Sequence, residues 1–168
     1  MLSKKIETAL NEQMSKEAYA SNSYLAMASW CDQEGLRGCA AFMYDQSAEE
    51  REHMMKLVRY VTDSGGHARI SAVKEPVNDY KSIEDVFKLA LEHEIEVTQS
   101  INKLVEVSLS VKDYTSFNFL QWFVSEQHEE ERLFTSILNL IKITGTDDKG
   151  VFFIDREISQ LRDEEKKS

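Results

Sequence analysis

The sequence predicts an all-α protein, a four-helix bundle with one long crossover between the second and third helices and a short fifth helix at the C-terminus. Three observations carry this. The six glycines and one proline fall in three places, at Gly35/Gly38, from Gly65 to Pro76, and at Gly145/Gly150, and such residues mark helix ends and connections. The segments between them carry apolar residues at steps of three and four, the period of a helix with one buried face. The connections run short, long, short, the pattern of two antiparallel hairpins joined by a single crossover.

The first helix is expected over about 3–34 and the second over about 36–64, followed by a crossover at 65–81 with little helical periodicity. Ser82-x-x-Asp85 is a capping box that opens the third helix, at about 82–110. Asp113 is the N-cap of the fourth, at about 113–144. The fifth is expected over about 151–163, with a solvated tail from Asp163 to Ser168. Each long helix would be roughly 45 Å long.

The 168 residues make one domain, spanning 1–168, large enough to fold without disulfide or metal staples. Thirty acids against 20 bases give a net charge of −10. That excludes the basic face a nucleic-acid partner needs and a basic surface for anionic lipids, and it suits attraction of cations. The longest uncharged run, Ala18 to Cys31, is too short and too polar to span a bilayer. Met1 to Glu7 shows no signal peptide. Cys31 and Cys39 are therefore expected as free buried thiols and the protein as cytoplasmic.

The apolar stripes hold the functional signal. They read Ile6, Leu10, Met14, Glu17, Ser21, Tyr24, Ala28 on the first helix; Met43, Ser47, Glu50, Met54, Leu57, Val61 on the second; Phe87, Ala90, Glu94, Val97, Ile101, Leu104 on the third; and Leu120, Val124, Gln127, Glu130, Phe134, Ile137, Ile141 on the fourth. Each stripe contains a carboxylate, and each carboxylate lies within about two residues of its helix midpoint, or about 3 Å of axial spread. Antiparallel packing therefore brings Glu17, Glu50, Glu94 and Glu130 to one level. Four ionised carboxylates in a dry core must either protonate or hold cations.

Glu50-x-x-His53 sets a carboxylate and an imidazole on one helix face. Oxygen donors with little nitrogen and no thiolate favour iron or manganese over structural zinc. Two ions about 3.5–4 Å apart would share Glu50, one taking Glu17 and His53 and the other Glu94 and Glu130. Gln127 faces the second ion and is placed to hold a water or a dioxygen-derived ligand. Tyr24, two turns from Glu17 on the same face, either hydrogen-bonds a ligand carboxylate and donates an electron or only packs. Met54, Met55 and Trp122 read as packing residues. His93 and His128 fall one step off the stripes and His67 lies in the crossover, so all three read as non-ligands. Phe152, Phe153 and Ile154 have no place in a closed four-helix core and suggest an assembly contact.

Over essentially its whole length the chain resembles the bacterial non-haem ferritins. The resemblance rests on Glu17 with Tyr24, Glu49-Glu50-x-x-His53, Glu94, the run Ser125-Glu126-Gln127-His128-Glu129-Glu130-Glu131, and the Phe152-Phe153-Ile154-Asp155-Arg156-Glu157 segment. It implies the ferritin-like bundle, a di-iron centre that oxidises Fe(II) to Fe(III) with dioxygen or peroxide, and storage as a ferric oxyhydroxide mineral. It implies a homo-oligomeric shell, usually of 24 subunits, with no nucleic acid and no membrane. It places the first iron on Glu17, Glu50 and His53 and the second on Glu50, Glu94 and Glu130. It adds a third iron position on Glu49, Glu126, Glu129 and Glu130. Glu126 lies three and four residues before Glu129 and Glu130, a repulsion of roughly 0.2–0.5 kcal/mol per pair that a cation would reverse.

Bacterioferritins share the fold but usually carry a second Glu-x-x-His in the fourth helix, where this chain has Gln127-x-x-Glu130, and a haem-binding methionine where it has Arg51. No haem is expected. DNA-protecting mini-ferritins build the metal site between subunits, whereas here one chain carries the whole set. Two further readings stay open to the residues themselves, a di-iron oxidase without storage and a metal-free interaction module.

Overall fold

In the computed structural model, residues 2–165 are described, with side chains described for 2–161. Five helices follow in order: α1 (Lys4–Gln33), α2 (Arg37–Asp63), α3 (Ile83–Ser110), α4 (Tyr114–Thr144) and α5 (Asp148–Glu165). The first four begin and end within one residue of expectation. Side-chain caps explain three of the starts. Ser3 accepts from the Ile6 amide, Ser82 from Asp85 and Asp113 from Ser116, each satisfying a donor that the helix itself leaves open.

α5 starts earlier than expected. Gly150 is not part of the break but lies in the first turn of α5, where its amide donates to Asp147 Oδ1 at 2.8 Å. Gly145 alone ends α4, in the left-handed region at φ +79°. The tail continues α5 to Glu165; its side chains and the residues beyond lie outside the described residues.

α1 and α2 form one antiparallel hairpin and α3 and α4 the other. The crossover leaves α2 beside Leu2 and climbs the outer face of α1. Asn11 accepts from the Arg69 amide at 2.6 Å, Ser15 and Ser71 share a hydrogen bond at 2.6 Å, and Tyr80 meets Trp30 edge-on at the far end. It delivers the chain to α3 at the end where α2 begins.

The core is two apolar clusters stacked along the bundle axis. One holds Tyr24, Met27, Met43, Phe87 and Phe134; the other holds Leu10, Met14, Leu57, Ile101 and Phe123. α5 adds Ile154 and Ile158 to the first cluster, both fully buried. Ile154 is therefore core, not assembly surface, whereas Phe152 and Phe153 are 71% and 45% exposed. In α4 the buried position is Phe123, while Val124 is 36% exposed: the buried residues Leu120, Phe123, Gln127, Glu130 and Phe134 alternate steps of three and four, and that spacing passes through 123 and not 124. Cys31 and Cys39 are free and buried. No helix among the described residues is long and apolar enough to cross a membrane.

Candidate metal centre

Between the two apolar clusters lies a polar layer. Glu17, Glu50 and Glu94 are each 1% exposed, and His53 and Glu130 5%. Glu17 and Glu50 come from facing turns of α1 and α2, Glu94 from α3, Glu130 from α4. All four are buried, and the Glu50 carboxyl feels the charges of both Glu94 and Glu130.

Glu17, Glu50 and His53 each offer one ligand atom within 4.8 Å of the others. His53 Nδ1 lies 3.5 Å from Glu50 Oε2. Glu17 Oε2 and Glu50 Oε2 are buried and have no hydrogen-bond donor. A cation between them supplies what the protein withholds, so the donor set fits a hard or borderline metal ion such as iron. Glu94 and Glu130 stand outside this triad. The Tyr24 hydroxyl donates to Glu94 Oε1, and the Gln127 amide donates to Glu94 Oε2 at 2.9 Å.

The electrostatics agree with an ion-binding layer. Burial pushes the Glu17 carboxyl well above the usual range, and Glu50 adds to it. Glu50 is raised by burial and then by Glu94. Glu94 is raised by burial as well, although the hydrogen bonds from Tyr24 and Gln127 oppose that. The Tyr24 hydroxyl is pushed up by burial and by Glu94.

Glu49, Glu126, Glu129 and Glu130 line one cleft of about 520 Å³, with Gln46, Arg132 and Ser136. Glu130 thus belongs both to the buried layer and to the cleft wall. Trp122 is not a core residue. It is 37% exposed, its ring meets His53 edge-on at 5.3 Å, and the Lys56 ammonium sits 3.6 Å over the ring. Met54 is buried and Met55 half-buried, as packing residues. His67 and His128 are exposed; His93 stacks edge-on with Tyr19 away from the layer.

Sequence reasoning gave no role to the residues that hold these carboxylates in place. Gln13, 1% exposed, donates to Glu17 Oε1 at 2.8 Å. Ser21 and Ser47 bond to one another across α1 and α2. Their signal was present: small or polar residues one turn from each acid, on the buried face of the same helix.

The comparisons agree with this geometry. The ferritin-like domain family matches residues 7–144. The chain is 48% identical to a probable bacterial non-haem ferritin-like protein of Haemophilus influenzae, covering 96% of this chain and 98% of the relative. It is 47% identical to a bacterial non-haem ferritin of Campylobacter jejuni, covering 96% of each. An open-pore ferritin from Archaeoglobus fulgidus superposes with a TM-score of 0.92 at 39% identity, over 95% of this chain and 98% of that one. With relatives this similar over nearly its full length, and with a carboxylate and histidine cluster where the bundle core is polar, the chain belongs to the ferritins, the iron-storage family.

Proposed function

We propose that this ferritin is a ferroxidase. Two Fe(II) ions bind in the buried layer, dioxygen takes up their electrons, and Fe(III) passes out to a mineral store. The carrying observation is the Glu17, Glu50 and His53 triad with its two undonated carboxylate oxygens. Iron is the substrate. Glu50, between Glu17 and the Glu94 side, is the shared ligand. Glu130 joins the second ion, and Tyr24 and Gln127 hold Glu94 in a fixed orientation for it. The buried layer excludes bulk water, which strengthens every charge interaction within it.

Glu49, Glu126 and Glu129 take the third iron position, in the cleft that Glu130 also lines. In this reading the subunits assemble into a shell of 24 copies in the cytoplasm; what supports assembly is that Phe152 and Phe153 present apolar surface that the subunit itself does not cover.

The test is aerobic oxidation of added Fe(II) by the metal-free protein, followed by near-ultraviolet absorbance, with Glu50→Ala alongside. Rapid oxidation by the parent, slow oxidation by the variant and soluble protein-bound Fe(III) are expected. Oxidation by the parent no faster than in buffer would overturn the reading.

A further inference from the structure

Glu17 is held by an oriented chain of hydrogen bonds that starts at the protein surface, passes through a neighbouring helix and ends on its buried carboxylate. The exposed Lys16 ammonium donates to Ser100 Oγ on α3 at 2.5 Å. The Ser100 hydroxyl donates to Gln13 Oε1, also at 2.5 Å. The Gln13 amide donates to Glu17 Oε1 at 2.8 Å. Lys16 only donates, Glu17 only accepts, and Ser100 and Gln13 between them do both, so the direction of the chain is fixed from the cation at Lys16 to the carboxylate at Glu17. Gln13 and Ser100 are almost wholly buried, at 1% and 8% exposed. Reversing either would leave a buried polar atom without a partner, at a cost that holds the arrangement in place.

The chain ends on one oxygen only. Glu17 Oε1 has its donor, while Glu17 Oε2 has none. Glu94 is different, with a donor on each oxygen, from Tyr24 and from Gln127. The tie limits how the carboxylate can turn and leaves Oε2 as the uncommitted oxygen of a residue that stands within ligand distance of Glu50 and His53.

We propose that Lys16, Ser100 and Gln13 are positioning residues that make Glu17 a one-oxygen ligand of the first metal ion. This rests on the proposed role of Glu17 as a ligand and extends it to residues that touch no metal. Partners of this kind set ligand orientation and commonly change metal affinity by about tenfold or more. Because α1 carries Glu17 and α3 carries Ser100, the chain also ties the first ion's ligand to the helix that bears Glu94.

The test uses Co(II) alone, added to the assembled metal-free protein, with affinity and the visible absorption bands read together. Ser100→Ala is expected to weaken the tightest Co(II) binding about tenfold and to alter the bands, with Ser100→Thr restoring both. Lys16→Met, at an exposed position, is expected to act in the same direction without lowering the melting temperature of the metal-free protein. Parent affinity and parent bands in Ser100→Ala and Lys16→Met, with Glu17→Gln impaired, would overturn the chain's role and leave the metal centre intact. Parent behaviour in Glu17→Gln as well would remove Glu17 from the centre, and the positioning role with it. A loss in Ser100→Ala that Ser100→Thr does not restore would assign Ser100 to packing and overturn the proposal.

Discussion

Ser21 and Ser47 hold each other's backbone across the α1–α2 seam. Each hydroxyl donates to the other residue's carbonyl, at 2.7 and 2.8 Å. Ser21 lies one turn after Glu17 and Ser47 one turn before Glu50, so this pair sets the height of one carboxylate against the other. Ser47→Ala is expected to cost about 1 kcal/mol, the net worth of one hydrogen bond. Ser47→Val forces bulk into the seam and is expected to cost about 1–3 kcal/mol and to slow Fe(II) oxidation more than Ser47→Ala does. Urea unfolding and oxidation rates on the same samples check both.

The metal-free protein should lose stability as pH rises. The Glu17, Glu50 and Glu94 carboxyls are raised in the fold, chiefly by burial, whereas in the unfolded chain they titrate near about 4.3. Between that value and the raised folded values, the folded chain binds more protons than the unfolded one. Stability then falls with rising pH. Calorimetry of chelator-treated protein from about pH 5 upward should show a declining melting temperature. Glu50→Gln should flatten the decline, and saturating divalent metal should reverse it. A melting temperature that climbs through this range without metal would contradict the buried acids as the cause.

Most of this was legible from residue spacing. Glu17, Glu50, Glu94 and Glu130 sit where apolar residues belong, and a period of 3.6 residues makes that misplacement visible on each helix. What was not legible depends on neighbours from distant sequence. Val124 and Phe123 are both apolar and adjacent, so periodicity alone did not decide which one faces the core. Trp122 read as packing because nothing in sequence shows that Lys56 and His53 both contact its ring. The break between α3 and α4 was soft because Lys112, not glycine, takes the left-handed backbone there, at φ 56°. The start of α5 was misjudged because Gly150 resembles an end, while Asp147, three residues before it, caps the helix.

The cysteines should be inert in the folded protein. Burial pushes the Cys31 thiol up to about 12, with Asp155 adding to it, and pushes Cys39 further still. The thiolate is the reactive form. A disulfide-exchange reagent at pH 8 is expected to label neither thiol until denaturant is added, and both thereafter. Rapid labelling of one thiol per folded chain would show that this end of the bundle opens.

α5 should prove integral to the subunit. α2 has no side-chain cap of its own at Leu36, and Asp155 of α5 accepts from the Cys39 amide in its place, at 2.8 Å. Asp155→Ala is expected to cost about 1 kcal/mol, as for loss of a cap. A Cβ at Gly38 would stand 2.1 Å from the Asp155 carbonyl oxygen. Gly38→Ala should therefore push α5 away, at about 3 kcal/mol. Limited proteolysis should cut Gly38→Ala first within α5 and leave the parent intact there.

The division of the core has a consequence for how the subunit comes apart. Among the described residues, Phe134 and its neighbours at one end and Leu57 and its neighbours at the other form separate buried apolar clusters, with the layer of acids between them. Cooperativity along the bundle is then carried by helix backbone and by whatever neutralises that layer. A loaded subunit should melt in one transition, because the ions fasten the four helices at mid-height. An empty one holds two foldons, and amide exchange should report separate opening free energies for the end that carries Ile154 and the end that carries Ile6.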